Sequence, residues 1–209
     1  MGARHRTRRA ARRNPELDAK PLILVVTEGE VTEPQYLAGF VRACRNPRVR
    51  VEISKDHGVP RTLVERAKEL KNEAARAAKK KDDENLAFDE VWCVFDIDVH
   101  SNIPEARNMA RDNDISLAVS NPCFEFWLVL HLRDSPGCQH RHDMQALLRK
   151  LGAITVKSVS FENFRNGYTD AVRRASRLDQ AALADGEEGR CPTTTVYQLT
   201  ESIRGDSVV

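Results

Sequence analysis

The chain has 209 residues, 41% of them apolar, and a formal charge of +2. That is enough apolar sequence for one well-packed core. No apolar run approaches the ~20 residues of a bilayer span, and the basic N-terminus lacks the apolar stretch of a secretory signal, so a cytoplasmic protein with no membrane partner is expected. Five cysteines stand at 44, 93, 123, 138 and 191 without a Cys-x-x-Cys pair. Odd in number and scattered, they fit neither a disulfide framework nor a zinc ribbon and are expected to be reduced.

Charge is unevenly placed. Arg4, Arg6, Arg8, Arg9, Arg12 and Arg13 fall within the first thirteen residues, leaving 27 basic against 31 acidic residues in the rest. Residues 1–20 read as a disordered tail whose arginines, Arg8, Arg9, Arg12 and Arg13 among them, suit sequence-independent contact with a polyanion such as nucleic acid. The same composition also suits a tail that merely keeps the chain in solution.

Pro21 opens a first strand at about 22–26, and the turn 27–32 leads into a helix from Glu33 to about Cys44, with Pro34 in its first turn. Val49-Arg-Val-Glu-Ile53 alternates apolar and polar residues, the pattern of a half-exposed edge strand. Beyond Gly58 and Pro60, Leu63, Val64, Ala67, Leu70 and Ala74 line one face of a long helix that ends in Lys79-Lys80-Lys81. A third strand spans Glu90–Phe95, a helix starts near Pro104, and a fourth strand spans Ile115–Val119. Such βαβαβαβ alternation predicts an α/β fold with a mostly parallel sheet flanked by helices.

The apolar helix Phe124–His131 should pack against that sheet. From about Asp134 no strand is legible; helical patterns at 141–151, 162–183 and 193–203 predict a C-terminal helical extension. The division that follows is a tail at 1–20, an α/β domain at 21–132 and a helical extension at 133–209 packed on the same unit.

Two acidic groups end apolar strands: Thr27-Glu28-Gly29-Glu30-Val31-Thr32-Glu33 after the first, and Asp96-Ile97-Asp98 after the third. Ligands of open α/β sheets bind beyond the carboxyl ends of the strands, so Glu28, Asp96 and Asp98 should converge. Carboxylates gathered closely repel one another unless they are protonated or neutralised, and hard oxygen donors select Mg²⁺ or Mn²⁺. Glu125 is an acid in an apolar helix, costly unless paired, and joins the candidate ligands; Glu30 is expected to face solvent. Lys55, after the second strand, is a candidate phosphate contact, and His100 is a weaker candidate near Asp98. Cys123, His131, Cys138, His140 and His142 fit no common zinc spacing.

In their order, strand, Glu28-Gly29, helix and later strand, Asp96-x-Asp98, these residues resemble the Toprim fold of topoisomerases, primases and the overcoming-lysogenization-defect nucleases. More specifically, Thr27-Glu-Gly-Glu-x-Thr-Glu-Pro34, Asp89-Glu-Val-Trp-Cys-Val-Phe-Asp-x-Asp98 and Ser120-Asn-Pro-Cys-Phe-Glu-x-Trp-Leu128 resemble the RloB family, which includes the AbiLii component of abortive phage resistance. The resemblance extends over about residues 20–205.

It implies a Toprim domain in a bacterial anti-phage system, often encoded beside an ABC- or AAA-class ATPase. By the same resemblance Glu28 is a metal ligand or general acid/base, Asp96 and Asp98 are the metal-binding pair, and Glu33 is a looser ligand candidate. In primases the second acid stands four residues after the glutamate, where this chain has Thr32. Two-metal phosphodiester hydrolysis uses four or five shared carboxylates; Glu28, Glu33, Asp96, Asp98 and Glu125 make five.

The expected function is therefore a divalent-metal-dependent nuclease acting on RNA, tRNA among the candidates, or on DNA, as an effector of abortive infection controlled by a partner ATPase. Two alternatives stand beside it. One is a non-catalytic regulatory or sensor subunit of an ATPase-containing defence complex; the other is a haloacid-dehalogenase-like phosphatase using Asp96-x-Asp98. The phosphatases begin their core with the Asp-x-Asp strand, whereas here that strand comes third. A homo-oligomer remains open.

Overall fold

The computed structural model describes residues 21–53, 60–97, 103–154 and 158–205. Four parallel strands form the centre: β1 (Ile23–Thr27), β2 (Val49–Ile53), β3 (Glu90–Asp96) and β4 (Ser116–Asn121). The spatial order is β2-β1-β3-β4, with a fifth strand outside β4. The chain thus leaves β1 toward one side for β2 and returns on the other for β3. Between β1 and β3 lies the reversal of strand order where α/β sheets bind ligands.

Every residue of β1 is buried, as both faces of an inner parallel strand must be. Alternate side chains feed two cores. Ile23, Val25, Trp92, Val94 and Ala118 point to one face, and Leu24, Val26, Val91, Cys93, Phe95 and Val119 to the other. The second face is covered by α2 (Pro60–Lys81), through Leu63, Val64, Ala67 and Leu70, and by α3 (Ile103–Asp112), through Ala106 and Ala110. The first face is covered by α1 (Thr32–Ala43) and α4 (Phe124–Leu132), which bring Tyr36, Leu37, Phe40, Phe124, Phe126 and Trp127 into one cluster. Completing the seven α-helices of the described residues are α5 (Arg141–Lys150), α6 (Tyr168–Ala184) and α7 (Val196–Arg204). Their Met144, Leu148, Ala171, Ala175, Leu199 and Ile203 join the same cluster. Each fully buried large side chain here is worth about 1.5–3 kcal/mol.

Helix α4 is buried from Phe124 to His131 because the sheet lies on one side and α5 and α6 on the other. That burial makes its polar groups pair internally. His131 sits close to Trp127 O at 3.0 Å and to the Tyr36 hydroxyl at 3.0 Å. A carbonyl only accepts, so Nδ1 carries the proton and the Tyr36 hydroxyl donates to Nε2.

Two expectations are corrected. A strand does follow Asp134: β5 (Thr193–Thr194) pairs antiparallel with Ser120 and Asn121, extending the sheet beyond β4 with two residues, too few to show a period. The cysteines are not all reduced: Cys138 and Cys191 form a disulfide, with Cα atoms 5.2 Å apart, while Cys44, Cys93 and Cys123 are buried thiols outside any disulfide. The fold brings together two loops 53 residues apart in sequence, a proximity that spacing alone does not reveal. No helix of the described residues is long and apolar enough to cross a membrane.

Candidate functional site

The exits of β1 and β3 lie side by side. Thr27 pairs with Val94, and the Glu28 amide donates to Val94 O at 3.1 Å, carrying the ladder one residue past β1. Glu28 is thereby held beside the end of β3, where Asp96 is paired with Ser120 of β4. The turn that follows is tight. Thr27 Oγ1 donates to Gly29 O at 3.1 Å, and Glu33, in the first turn of α1, turns its carboxyl back over Gly29. A β-carbon at residue 29 would overlap that carboxyl, which gives the Glu-Gly pair of the sequence a physical cause.

Burial dominates the electrostatics. Glu33 is only 8% exposed, and its carboxyl is pushed up to about 7 by desolvation, further by Glu125 and Glu28, against the pull of its own backbone N–H and of Arg141. Asp96 is raised well above the usual carboxylate range, first by desolvation and then by Glu33, Glu125 and Glu28; Arg141 opposes the rise. Four of the acids singled out in the sequence thus come together: Glu33 and Asp96 each feel the charge of Glu125 and Glu28, and Asp96 also that of Glu33. Glu30 is exposed.

Glu125 is oriented by α5, whose Gln145 Nε2 donates to its Oε1 at 2.9 Å. The buried Cys123 thiol before α4 is pushed up by desolvation and by Glu125 and Asp96, so it stays a thiol. Sequence reasoning missed two residues here. Gln145 is one. The other is Arg141, the first residue of α5, whose guanidinium lies 3.9 Å from Asp96 Oδ2 and is 42% exposed. Nothing local marks either, because their partners lie 20 and more residues away. The helical pattern at 141–151 does place both on α5.

Among the described residues, no three His, Cys, Asp or Glu side chains form a group ready to hold a metal ion. Asp98, the partner of Asp96 in the expected pair, lies outside the described residues, as do Lys55, His100 and the arginines Arg8, Arg9, Arg12 and Arg13. Of the other metal-capable residues, Cys138 is engaged in the disulfide and His131 in the buried contact with Tyr36.

The family model described as RloB-like protein matches residues 23–203, from the first residue of β1 into the last turn of α7. No curated protein and no solved structure matches the chain. The match takes in both strand exits, α1, α4 and α5, so the chain belongs to the RloB-like protein family, a membership that suggests a role in defence.

Proposed function

We propose that this protein is a divalent-metal-dependent nuclease, hydrolysing phosphodiesters of RNA or DNA as an effector of anti-phage defence. The observation that carries the reading is the gathering of Glu28, Glu33, Asp96 and Glu125 near the point where strand order reverses, where the carboxyls of Glu33 and Asp96 are pushed up by desolvation and by the neighbouring acids. Carboxyls that burial and like charge drive toward protonation are stabilised as anions by a hard cation. The donor set is all oxygen, which fits Mg²⁺ or Mn²⁺.

Asp96, Glu28 and Asp98 would hold the ion, with Glu33 and Glu125 completing the set. When bound, it supplies charge neutralisation at the phosphoryl oxygens and activation of water. Glu28, at the exit of β1, would exchange a proton with water or the leaving oxygen. Gln145 fixes the direction of Glu125. Arg141, partly in solvent, presents a guanidinium suited to a phosphate beside the acids. The Arg-rich N-terminal segment would add non-specific attraction for the polyanion, and an ABC- or AAA-class ATPase would control the activity.

One observation favours a second reading. Arg141 already sets a positive charge against Asp96, as a group does when it neutralises an acid for structure rather than for chemistry. On that reading the chain is a non-catalytic regulatory subunit of an ATPase-containing complex.

Cleavage of labelled tRNA, single-stranded RNA and plasmid DNA, with Mg²⁺, Mn²⁺ or a chelator and with and without a neighbouring ATPase, separates the two. Metal-dependent cleavage that Asp96→Asn abolishes supports the nuclease. Binding to the ATPase without cleavage under any condition supports the regulatory subunit.

A further inference from the structure

A cavity of about 460 Å³ opens on the α3 side of β4, bounded by α3, the outer edge of β4, the end of α6 and the start of α7. It falls within the range of small-molecule sites, and no step of the proposed reaction uses it. Its polar groups are of two kinds in two places. Arg107 and Arg111 stand one turn apart on α3. From the α6 side comes Asp179, a carboxyl only 3% exposed, with Gln198 of α7 nearby on the lining. Between them lie Ile97 and Leu117, and Leu183 is left 52% exposed on the wall.

Some of these groups keep capacity to spare and others are already engaged; Gln198 Nε2 donates to the Tyr197 hydroxyl at 3.2 Å and leaves its amide oxygen to accept. Tyr197 donates to Asp179 Oδ2 at 3.0 Å, one bond to a carboxylate whose two oxygens can accept about four. Arg111 is 74% exposed; its Nη2 donates to Asn108 Oδ1 at 3.0 Å and Asp112 lies 3.6 Å away, exposed contacts worth little. Arg107 is held by Glu188 at 2.7 Å. The rim is already built. Asn121 Nδ2 donates to Gly189 O at 2.7 Å, and the Cys138–Cys191 bridge anchors the same segment.

We propose that this cavity binds a purine nucleoside phosphate, with the phosphate at Arg111 and Arg107, the base against Ile97, Leu117 and Leu183, and its N–H edge read by Asp179 and Gln198. Guanidinium groups in a fork geometry select phosphate. A buried carboxyl beside an amide selects a planar partner rich in N–H donors and rejects one that leaves the pair unsatisfied. Glu188 sets the cost of entry, since a phosphate reaching Arg107 competes with it. Ile97 directly follows Asp96 and donates its amide to Ser120 O at 2.8 Å, so the cavity and the acid cluster share the exit of β3.

The test is calorimetric titration of the full chain with ATP, GTP, CTP and inorganic phosphate in excess chelator, which keeps divalent ions out of the measurement. A purine nucleotide should bind saturably and more tightly than CTP or phosphate. Arg111→Glu, on an exposed side chain that does not support the fold, should weaken it by about tenfold or more, the loss of one charge-assisted contact. Asp179→Asn should weaken it similarly while circular dichroism stays native, and Asp96→Asn should bind as wild type. Absence of saturable nucleotide binding, or binding that Arg111→Glu leaves unchanged, would overturn the proposal. Because no cleavage is read, the outcome is independent of the nuclease assignment.

Discussion

Glu33 folds its carboxyl over Gly29 so closely that a β-carbon at residue 29 would take its place. The clash is with the end of a flexible side chain rather than with backbone, so the fold can absorb it and the acid cluster cannot. Gly29→Ala should leave the thermal midpoint within a few degrees of wild type while displacing Glu33 from its neighbours. Metal affinity or cleavage should fall by about 10–100-fold, the usual effect of disturbing groups that orient a site. Parallel melting and metal titration of the variant check both halves.

Tyr36 and His131 form the polar centre of an otherwise aromatic core. Phe124, Trp127, Phe161 and Phe164 surround the pair with ring centroids 4.6–6.4 Å away. Tyr36→Phe removes the donor to His131 Nε2 and leaves a buried acceptor unsatisfied, a cost of about 1–3 kcal/mol. Urea denaturation should show that loss as a lower midpoint with an unchanged slope.

The same burial gives a dependence on pH. His131 is pulled down from 6.5 to about 4, chiefly by desolvation, with Arg174 adding to the fall and the Trp127 carbonyl opposing it. In the unfolded chain this imidazole takes up a proton below about 6.5; in the folded protein it does not until about 4. The unfolded state binds more protons in that window, so the His131 contribution to stability falls as the pH drops from 6.5 to 4, by at most about 3 kcal/mol. Ring ¹⁵N shifts should report a neutral imidazole protonated at Nδ1 at pH 5. A charged ring at that pH would contradict the assignment.

The Cys138–Cys191 bridge closes a loop of 53 residues, for which chain entropy gives up to about 4 kcal/mol of stabilisation. Denatured without reductant, the protein should present three alkylatable thiols, Cys44, Cys93 and Cys123, and five after reduction. Cys138→Ser/Cys191→Ser should lower the melting temperature and abolish that difference in thiol count.

How much of this was legible in sequence followed from distance along the chain. Strands β1 to β4 and helices α1 to α4 announced themselves through continuous apolar runs, period-two alternation at Val49–Ile53 and the proline at 34, all signals contained within a dozen residues. Glu28, Glu33 and Asp96 were legible for the same reason, because each follows or ends a strand within one motif. What sequence missed is assembled from afar. Arg141 meets Asp96 across 45 positions and Cys138 meets Cys191 across 53, and β5 is held by Ser120 and Asn121 rather than by any preference of two threonines. Glu125 lies between these cases. Its presence in an apolar helix marked it as paired, but its partner Gln145 could only come from the fold.

The central claim is that the carboxylates clustered at the exits of β1 and β3, half-buried Glu28 and Asp96 with buried Glu33 and Glu125, carry metal-dependent phosphodiester hydrolysis. The most direct measurement is Mg²⁺- or Mn²⁺-dependent cleavage of labelled RNA and DNA by wild type and Asp96→Asn, with and without any ATPase encoded beside it, on samples matched for folding by circular dichroism. The account predicts cleavage by wild type that a chelator removes and that Asp96→Asn lowers by at least about 100-fold, the scale of a removed catalytic group. Equal cleavage by the two proteins, or none from wild type under any of these conditions, would contradict it.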